Sequence, residues 1–212
     1  MKLIVITTET FFKGEARVVN LLLKNGLETL HLRKPAASLH ETAVFIKQIR
    51  LDYHARIVIH DHYDLTNMFD LKGIHLNRRN QANMEKYCSK RRLTISRSCH
   101  SLDEVSESRF CDYVFLSPVF DSISKVGYKQ GFTMLQLADA REKMIINEKV
   151  IALGGITAEN IQVAFSYGFG GVAVLGALWG GGDGENSVDT RITNPREQNL
   201  LERFNELKNK CM

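Results

Sequence analysis

Eight short runs of β-branched and apolar residues recur along the chain, and most are separated by stretches with the spacing of amphipathic helices. The predicted strands are residues 2–8, 29–33, 56–61, 73–76, 93–98, 113–119, 150–154 and 171–176. The predicted helices are residues 17–25, 39–51, 134–143, 158–167 and 195–208.

This alternation of strands and helices constrains the fold strongly. Strands joined through helices pair in parallel by right-handed crossovers, and the nearly continuous apolar runs fit a sheet that helices cover. The sequence therefore predicts an α/β chain in which eight units close into a single (β/α)8 TIM barrel. An open doubly wound sheet is the alternative, but ThrThrGluThr stands after the first run, where such a fold usually carries GxGxxG.

Composition narrows the function classes. The 212 residues are 44% hydrophobic and 25% charged, with a net charge of +4, which fits one domain over residues 1–212 and a small anionic ligand. The basic residues form no dense stripe, so we expect no nucleic-acid partner. No apolar stretch reaches the length of a membrane span, and the cysteines show no CxxC pair, so we expect a cytoplasmic protein without disulfides. The glycine-rich interval 179–194 predicts a flexible loop.

In a barrel of this type the functional residues lie at the carboxyl ends of the strands. That position selects Arg33 and Lys34 after the second run, His60 and Asp61 after the third, and His100 after the fifth. His100 is a candidate acid or base, although a lone histidine is more often structural. Asp61 is a candidate magnesium ligand or base, and the flanking histidines could instead form a polar cluster around it.

Phosphate binding is predicted at the loops after the last two strands. Gly154, Gly155, Gly176 and Ala177 leave the backbone N–H groups free of bulky side chains, as anion binding requires. The alternative is that these glycines only form tight turns. The loop after the sixth run offers further phosphate ligands, the hydroxyls of Ser122 and Ser124 and the ammonium of Lys125. The alternative is that this segment is only a solvated polar loop.

Seven segments together resemble the thiamin phosphate synthase and TenI family, over the chain from the first strand through Leu178. They are LeuHisLeuArg at 30–33, IleValIleHisAspHisTyrAspLeu at 57–65, GlyIleHisLeu at 73–76, SerArgSerCysHisSerLeuAspGlu at 96–104, AspTyrValPheLeuSerProValPhe at 112–120, SerIleSerLys at 122–125 and AlaLeuGlyGlyIle at 152–156. The resemblance implies a (β/α)8 barrel that acts on a thiazole phosphate in thiamin biosynthesis. It also implies ligand roles for His31, Lys34, His60 and Ser98.

The family resemblance leaves three functions open. The synthase members join hydroxymethylpyrimidine diphosphate to thiazole phosphate with Mg²⁺ on the leaving diphosphate, and their strand ends read Gln-x-Arg-x-Lys and Asn-Asp, with a second aspartate after strand four. Here those positions hold His31, Arg33, Pro35, His60, Asp61 and Asn80.

One Mg²⁺ ligand is thus replaced, with Lys34 or the arginines Arg78 and Arg79 as the nearby residues that could offset the lost charge. We therefore expect a TenI-like thiazole tautomerase without a cofactor, in which His100 moves the proton and Arg33 holds a carboxylate or phosphate. The first alternative is the Mg²⁺-dependent synthase with Asp61 as metal ligand. The second is a non-catalytic protein that binds thiazole phosphate. A homodimer is left open.

Overall fold

The structure, a computed structural model, describes residues 1–77, 92–121, 131–180 and 194–212. Eight parallel strands form a closed barrel in chain order, and β8 pairs with β1. The strands are β1 Lys2–Ile6, β2 Leu30–Leu32, β3 Ile57–Ile59, β4 Gly73–Leu76, β5 Thr94–Cys99, β6 Tyr113–Leu116, β7 Val150–Leu153 and β8 Gly171–Val174. The predicted (β/α)8 TIM barrel is confirmed.

Helices lie between most of the strands. They are α1 Glu15–Lys24, α2 Leu39–Lys47, α3 Leu102–Glu107, α4 Met134–Glu142, α5 Ile161–Ser166, α6 Gly176–Trp179 and α7 Asn194–Cys211, with 3₁₀ turns at Leu51–Arg56 and Tyr63–Asn67. Capping boxes begin α2 and α4, where Ser38 pairs with Glu41 and Thr133 with Gln136. Within the described residues no helix is long and apolar enough to cross a membrane.

The helix predictions were wrong at several ends. The helix expected at 39–51 stops at Lys47 and a 3₁₀ turn follows it, while α3 and α6 were not predicted. The interval expected as a flexible loop, 179–194, includes the last residue of α6 and the first residue of α7. Residues 181–193 of that interval lie outside the described part of the chain.

Side chains alternate between two apolar layers because successive strand residues face opposite sides of the sheet. The larger layer, which includes Val5, Leu30 and Val172, packs between the barrel and its helices. A smaller apolar cluster forms from alternating positions on β1, β6, β7 and β8, including Ile4, Phe115 and Ile151. Phe115 contacts His31 and His75 of strands β2 and β4, with ring centroids 4.7 and 4.8 Å away. The barrel interior is therefore apolar on one side and polar on the other.

Candidate functional site

Arg33 follows β2 at the carboxyl-end face of the barrel. Its backbone is fixed by reciprocal hydrogen bonds with Thr7, whose hydroxyl accepts from Arg33 N at 3.0 Å and donates to Arg33 O at 3.2 Å. The guanidinium is 29% exposed and pairs with Glu9 Oε1 at 2.6 Å. Because this partner is itself 55% exposed, the pair can exchange for an anionic ligand at modest cost.

Asp61 lies one strand further round the same face. It follows His60, whose backbone N–H continues the ladder to Leu32 O at 3.1 Å, and its side chain is half-buried. The next residue, His62, has a left-handed backbone with φ 54° and bonds through Nε2 to Ala37 O at 2.7 Å. This arrangement fixes the chain on both sides of the Asp61 carboxylate at the strand end.

His100 lies just beyond β5 with an exposed side chain. Its Nδ1 lies 3.0 Å from the Ser117 carbonyl oxygen, and its backbone N–H donates to Glu104 Oε2 at 2.5 Å. A carbonyl can only accept, so this contact assigns the ring proton to Nδ1 and the lone pair to Nε2. The imidazole is thus oriented as a base at Nε2. Its neighbour Cys99 is buried, which raises the pKa of the thiol and disfavours a nucleophilic role.

Gly154 and Gly155 form the turn after β7 with φ values of 92° and 64°. A Cβ on Gly154 would lie 2.8 Å from Pro118 Cα, and one on Gly155 would lie 2.2 Å from the Asp121 carbonyl oxygen. Both the left-handed backbone and the close approach of the loop after β6 therefore require glycine. The tight-turn explanation accounts for the residue type, so a phosphate role at these glycines stays a prediction.

Gly176 and Ala177 open the short helix α6 directly after β8. The first N–H groups of a helix have no intrahelical acceptor, and an extra short helix after the eighth strand is a recurrent phosphate site in these barrels. Trp179 anchors this helix, since its Nε1 donates to the Ile6 carbonyl at 2.7 Å. The helix N-terminus is thereby fixed at the same face as Arg33.

Lys34 does not lie at the opening, contrary to the ligand role expected for it. Its side chain is 2% exposed and forms an ion pair with Glu15 of α1, at 2.7 Å. Its Nζ also donates to Thr10 O at 2.8 Å and lies 4.7 Å from the Phe11 ring centroid. Burial raises the pKa of Glu15 and lowers the pKa of Lys34, while their mutual attraction opposes both shifts. The ammonium stabilises the junction between β2 and α1.

His31 also lies deeper than a direct ligand would, because none of its surface is exposed. Its Nδ1 lies 2.9 Å from His60 Nε2 and its Nε2 lies 2.6 Å from the Tyr113 hydroxyl. His60 is 5% exposed and stacks on the fully buried His75 with centroids 4.2 Å apart. His60 therefore belongs to a buried histidine cluster with His31 and His75 inside the barrel. The alternative of a polar cluster formed by His60 and His62 around Asp61 stays a prediction.

Two serines complete the polar half of the interior. Both ring nitrogens of His75 contact hydroxyls, Nδ1 that of Ser96 and Nε2 that of Ser98, each at 2.8 Å. Burial lowers the pKa of His75 to about 3, with a smaller contribution from the Arg33 charge, and burial also holds the pKa of His31 well below its ordinary value. Both imidazoles are therefore neutral at pH 7. Ser98, expected as a ligand, is half-buried with its hydroxyl on His75.

Six candidate residues lie outside the described part of the chain, namely Ser122, Ser124 and Lys125 after β6 and Arg78, Arg79 and Asn80 after β4. The part of the site that the structure describes therefore comprises the ends of β2, β3 and β5 and the turns after β7 and β8.

Residues 3–178 match the model of the thiamine monophosphate synthase family, TMP-TENI. The chain belongs to this family. A thiamine-phosphate synthase from Methanoculleus marisnigri is 30% identical over 193 residues, which cover 85% of this chain and 89% of that protein.

One solved structure agrees with this assignment, and a second agrees with the fold. The thiamine phosphate pyrophosphorylase from Bacteroides thetaiotaomicron is 38% identical, with a TM-score of 0.83 and coverage of 100% of this chain and 98% of that one. The corresponding protein from Pyrococcus furiosus, 24% identical with a TM-score of 0.68, covers 97% of this chain and 96% of that one and supports the barrel fold. The chain is thus an enzyme of a barrel family of thiamine biosynthesis.

Proposed function

We propose that this protein is a thiamine-phosphate synthase. It would join the thiazole nitrogen of thiazole phosphate to the methylene carbon of hydroxymethylpyrimidine diphosphate, with the carbon–oxygen bond to diphosphate breaking and diphosphate leaving. The relatives above carry the synthase or pyrophosphorylase name, so they favour this reaction over the tautomerisation that the sequence departures favoured. The observation that carries the proposal is the placement of Arg33 and Asp61 at the ends of adjacent strands in a member of this family.

Arg33, Gly176 and Ala177 would bind the phosphate groups of the two substrates. The Arg33 guanidinium would leave Glu9 and bind the negatively charged diphosphate, since a planar fork suits phosphate oxygens. The N–H groups of Gly176 and Ala177 would hold the phosphate of the thiazole substrate at the start of α6. The two substrates would then meet across the strand-end face, between β2 and β8.

Magnesium fits the donor chemistry of Asp61. Mg²⁺ in proteins is commonly held by one or two carboxylates together with substrate phosphates, and Asp61 offers one half-buried carboxylate at the strand end. When bound there, the ion would neutralise charge on the leaving diphosphate. The carboxylate itself would position the ion on the side of the site next to Arg33.

The test measures thiamine phosphate formation by the purified protein with both substrates and Mg²⁺. Asp61→Asn and Arg33→Gln should each lower kcat/KM by about a hundredfold or more, as expected when a charge that stabilises the leaving group is removed. Asp70→Asn and Arg50→Gln are matched controls, because both residues are exposed and precede strands β4 and β3, at the opposite end of the barrel. Activity that survives the site variants unchanged would contradict the proposal.

A second function, thiazole tautomerisation, is favoured by one observation. The Nε2 of His100 carries the lone pair on an exposed ring beside the site, as a proton-transfer base requires. Conversion of the thiazole carboxylate phosphate to its aromatic tautomer without metal, lost in His100→Ala but not in His40→Ala on α2, would establish it. Binding of thiazole phosphate with neither activity would instead support the non-catalytic alternative.

A further inference from the structure

We propose that His31, His60 and His75 form a binding site for one Zn²⁺ ion inside the barrel, distinct from the strand-end carboxylate Asp61. The three residues come from three consecutive strands of the barrel, His31 from β2, His60 from the end of β3 and His75 from β4. One ring nitrogen of each lies within 4.8 Å of the others, and all three side chains are buried. Imidazole nitrogens suit Zn²⁺, whereas Mg²⁺ prefers oxygen ligands, so the two sites would take different ions.

Hydrogen bonds already orient two of the rings from outside. The Tyr113 hydroxyl contacts Nε2 of His31 at 2.6 Å, which leaves Nδ1 directed toward His60. Serine hydroxyls contact His75 at both nitrogens, so one serine can retain its ring nitrogen while the other nitrogen binds the ion. Such outer partners of ligand histidines fix the ring orientation and are a regular feature of metal sites.

Binding of Zn²⁺ requires the rings to rearrange, because the ligand atoms lie only within 4.8 Å of one another. Three ligands on a tetrahedral Zn²⁺ at about 2.0–2.1 Å lie about 3.3 Å apart. His31 Nδ1 and His60 Nε2 are 2.9 Å apart, close to that value, and the ion would replace the proton that they share. His60 and His75 are stacked with an interplanar angle of 21°, so one of these two rings must rotate to aim its lone pair at the ion. The fourth position would be open to water, as in sites with three protein ligands.

The experiment titrates Zn²⁺ into protein that has been treated with a chelator, by calorimetry. One tight site per chain is expected, and His31→Asn or His75→Asn should weaken it at least a hundredfold. His54→Asn is the matched control, since His54 is buried but contacts the Ile46 and Ile49 carbonyls outside the cluster. Its affinity should equal that of the wild type.

X-ray absorption on the wild-type protein loaded with one Zn²⁺ decides the case without depending on the folding of any variant. Three nitrogen ligands at about 2.0–2.1 Å with imidazole scattering are expected. Absence of binding, equal binding by the cluster variants, or a shell dominated by oxygen or sulfur would overturn the proposal. Neither readout depends on catalysis, so the result is independent of the synthase assignment.

Discussion

Lys34→Met tests whether this lysine stabilises the fold or binds substrate. Lys34 and Glu15 are 2% and 1% exposed, so removing the ammonium leaves a carboxylate buried without its cation. Breaking one partner of a buried pair costs about 3–5 kcal/mol, and each kcal/mol shifts the Tm of a chain of this size by about 2–4 °C. The variant should therefore melt roughly 6–20 °C below the wild type in a thermal scan. At a temperature where it stays folded, its KM for either substrate should not change.

The double variant Glu15→Leu/Lys34→Met should recover most of the loss, because apolar side chains of similar size replace a buried ion pair at little net cost. Lys143→Met is the control, since its pair with Asp139 is 63% and 54% exposed and should contribute little. An unchanged Tm for Lys34→Met combined with a large rise in KM would refute the stabilising role and show that Lys34 binds substrate.

Three further predictions follow from packing and burial. Gly155→Ala should lower the free energy of unfolding in urea by about 2–5 kcal/mol, because the added Cβ would lie 2.2 Å from a backbone oxygen at a residue with φ 64°. The control Gly168→Ala should cost about 1–2 kcal/mol, because its Cβ would meet only the flexible Arg141 side chain, at 3.3 Å. Equal costs for the two variants would contradict the close approach at Gly155. The pKa of His75 is lowered to about 3 in the folded protein, so the unfolded protein binds more protons than the folded one between about pH 6.5 and 3. The free energy of unfolding, measured with a chelator present, should therefore fall by up to about 5 kcal/mol as the pH drops through that window. A flat profile that His75→Asn leaves unaltered would exclude this contribution. Trp179→Phe should cost about 1 kcal/mol through loss of the bond to the Ile6 carbonyl, and an unchanged free energy of unfolding would show that this bond does not anchor α6.

The barrel could be predicted because each strand is a short apolar run, and the run at 73–76 has the bounds observed for β4. The run at 56–61 was too long, since β3 ends at Ile59 and the polar residues that follow belong to the strand end. Helix α3 was missed because its six residues, LeuAspGluValSerGlu, are too few and too polar to show a helical period. Short helices of this kind depend on tertiary packing more than on pattern.

The sequence shows which candidate residues follow each strand, but not the direction in which each side chain points. Arg33 and Lys34 are neighbours, and the alternation of strand side chains places them on opposite sides, so only one can face the opening. The same alternation puts His31 on the side of Arg33 but one layer deeper, a distinction that needs the barrel register. The partner of Lys34 on α1 lies nineteen residues earlier, and no local pattern indicates that pairing.

Phosphorus NMR of the reaction mixture tests the synthase assignment most directly. With hydroxymethylpyrimidine diphosphate, thiazole phosphate and Mg²⁺, the signals of free diphosphate and of thiamine phosphate should appear at equal rates, and both rates should fall by about a hundredfold or more in Asp61→Asn. If diphosphate is never released while the folded protein converts the thiazole carboxylate phosphate between its tautomers without metal, the synthase assignment is contradicted.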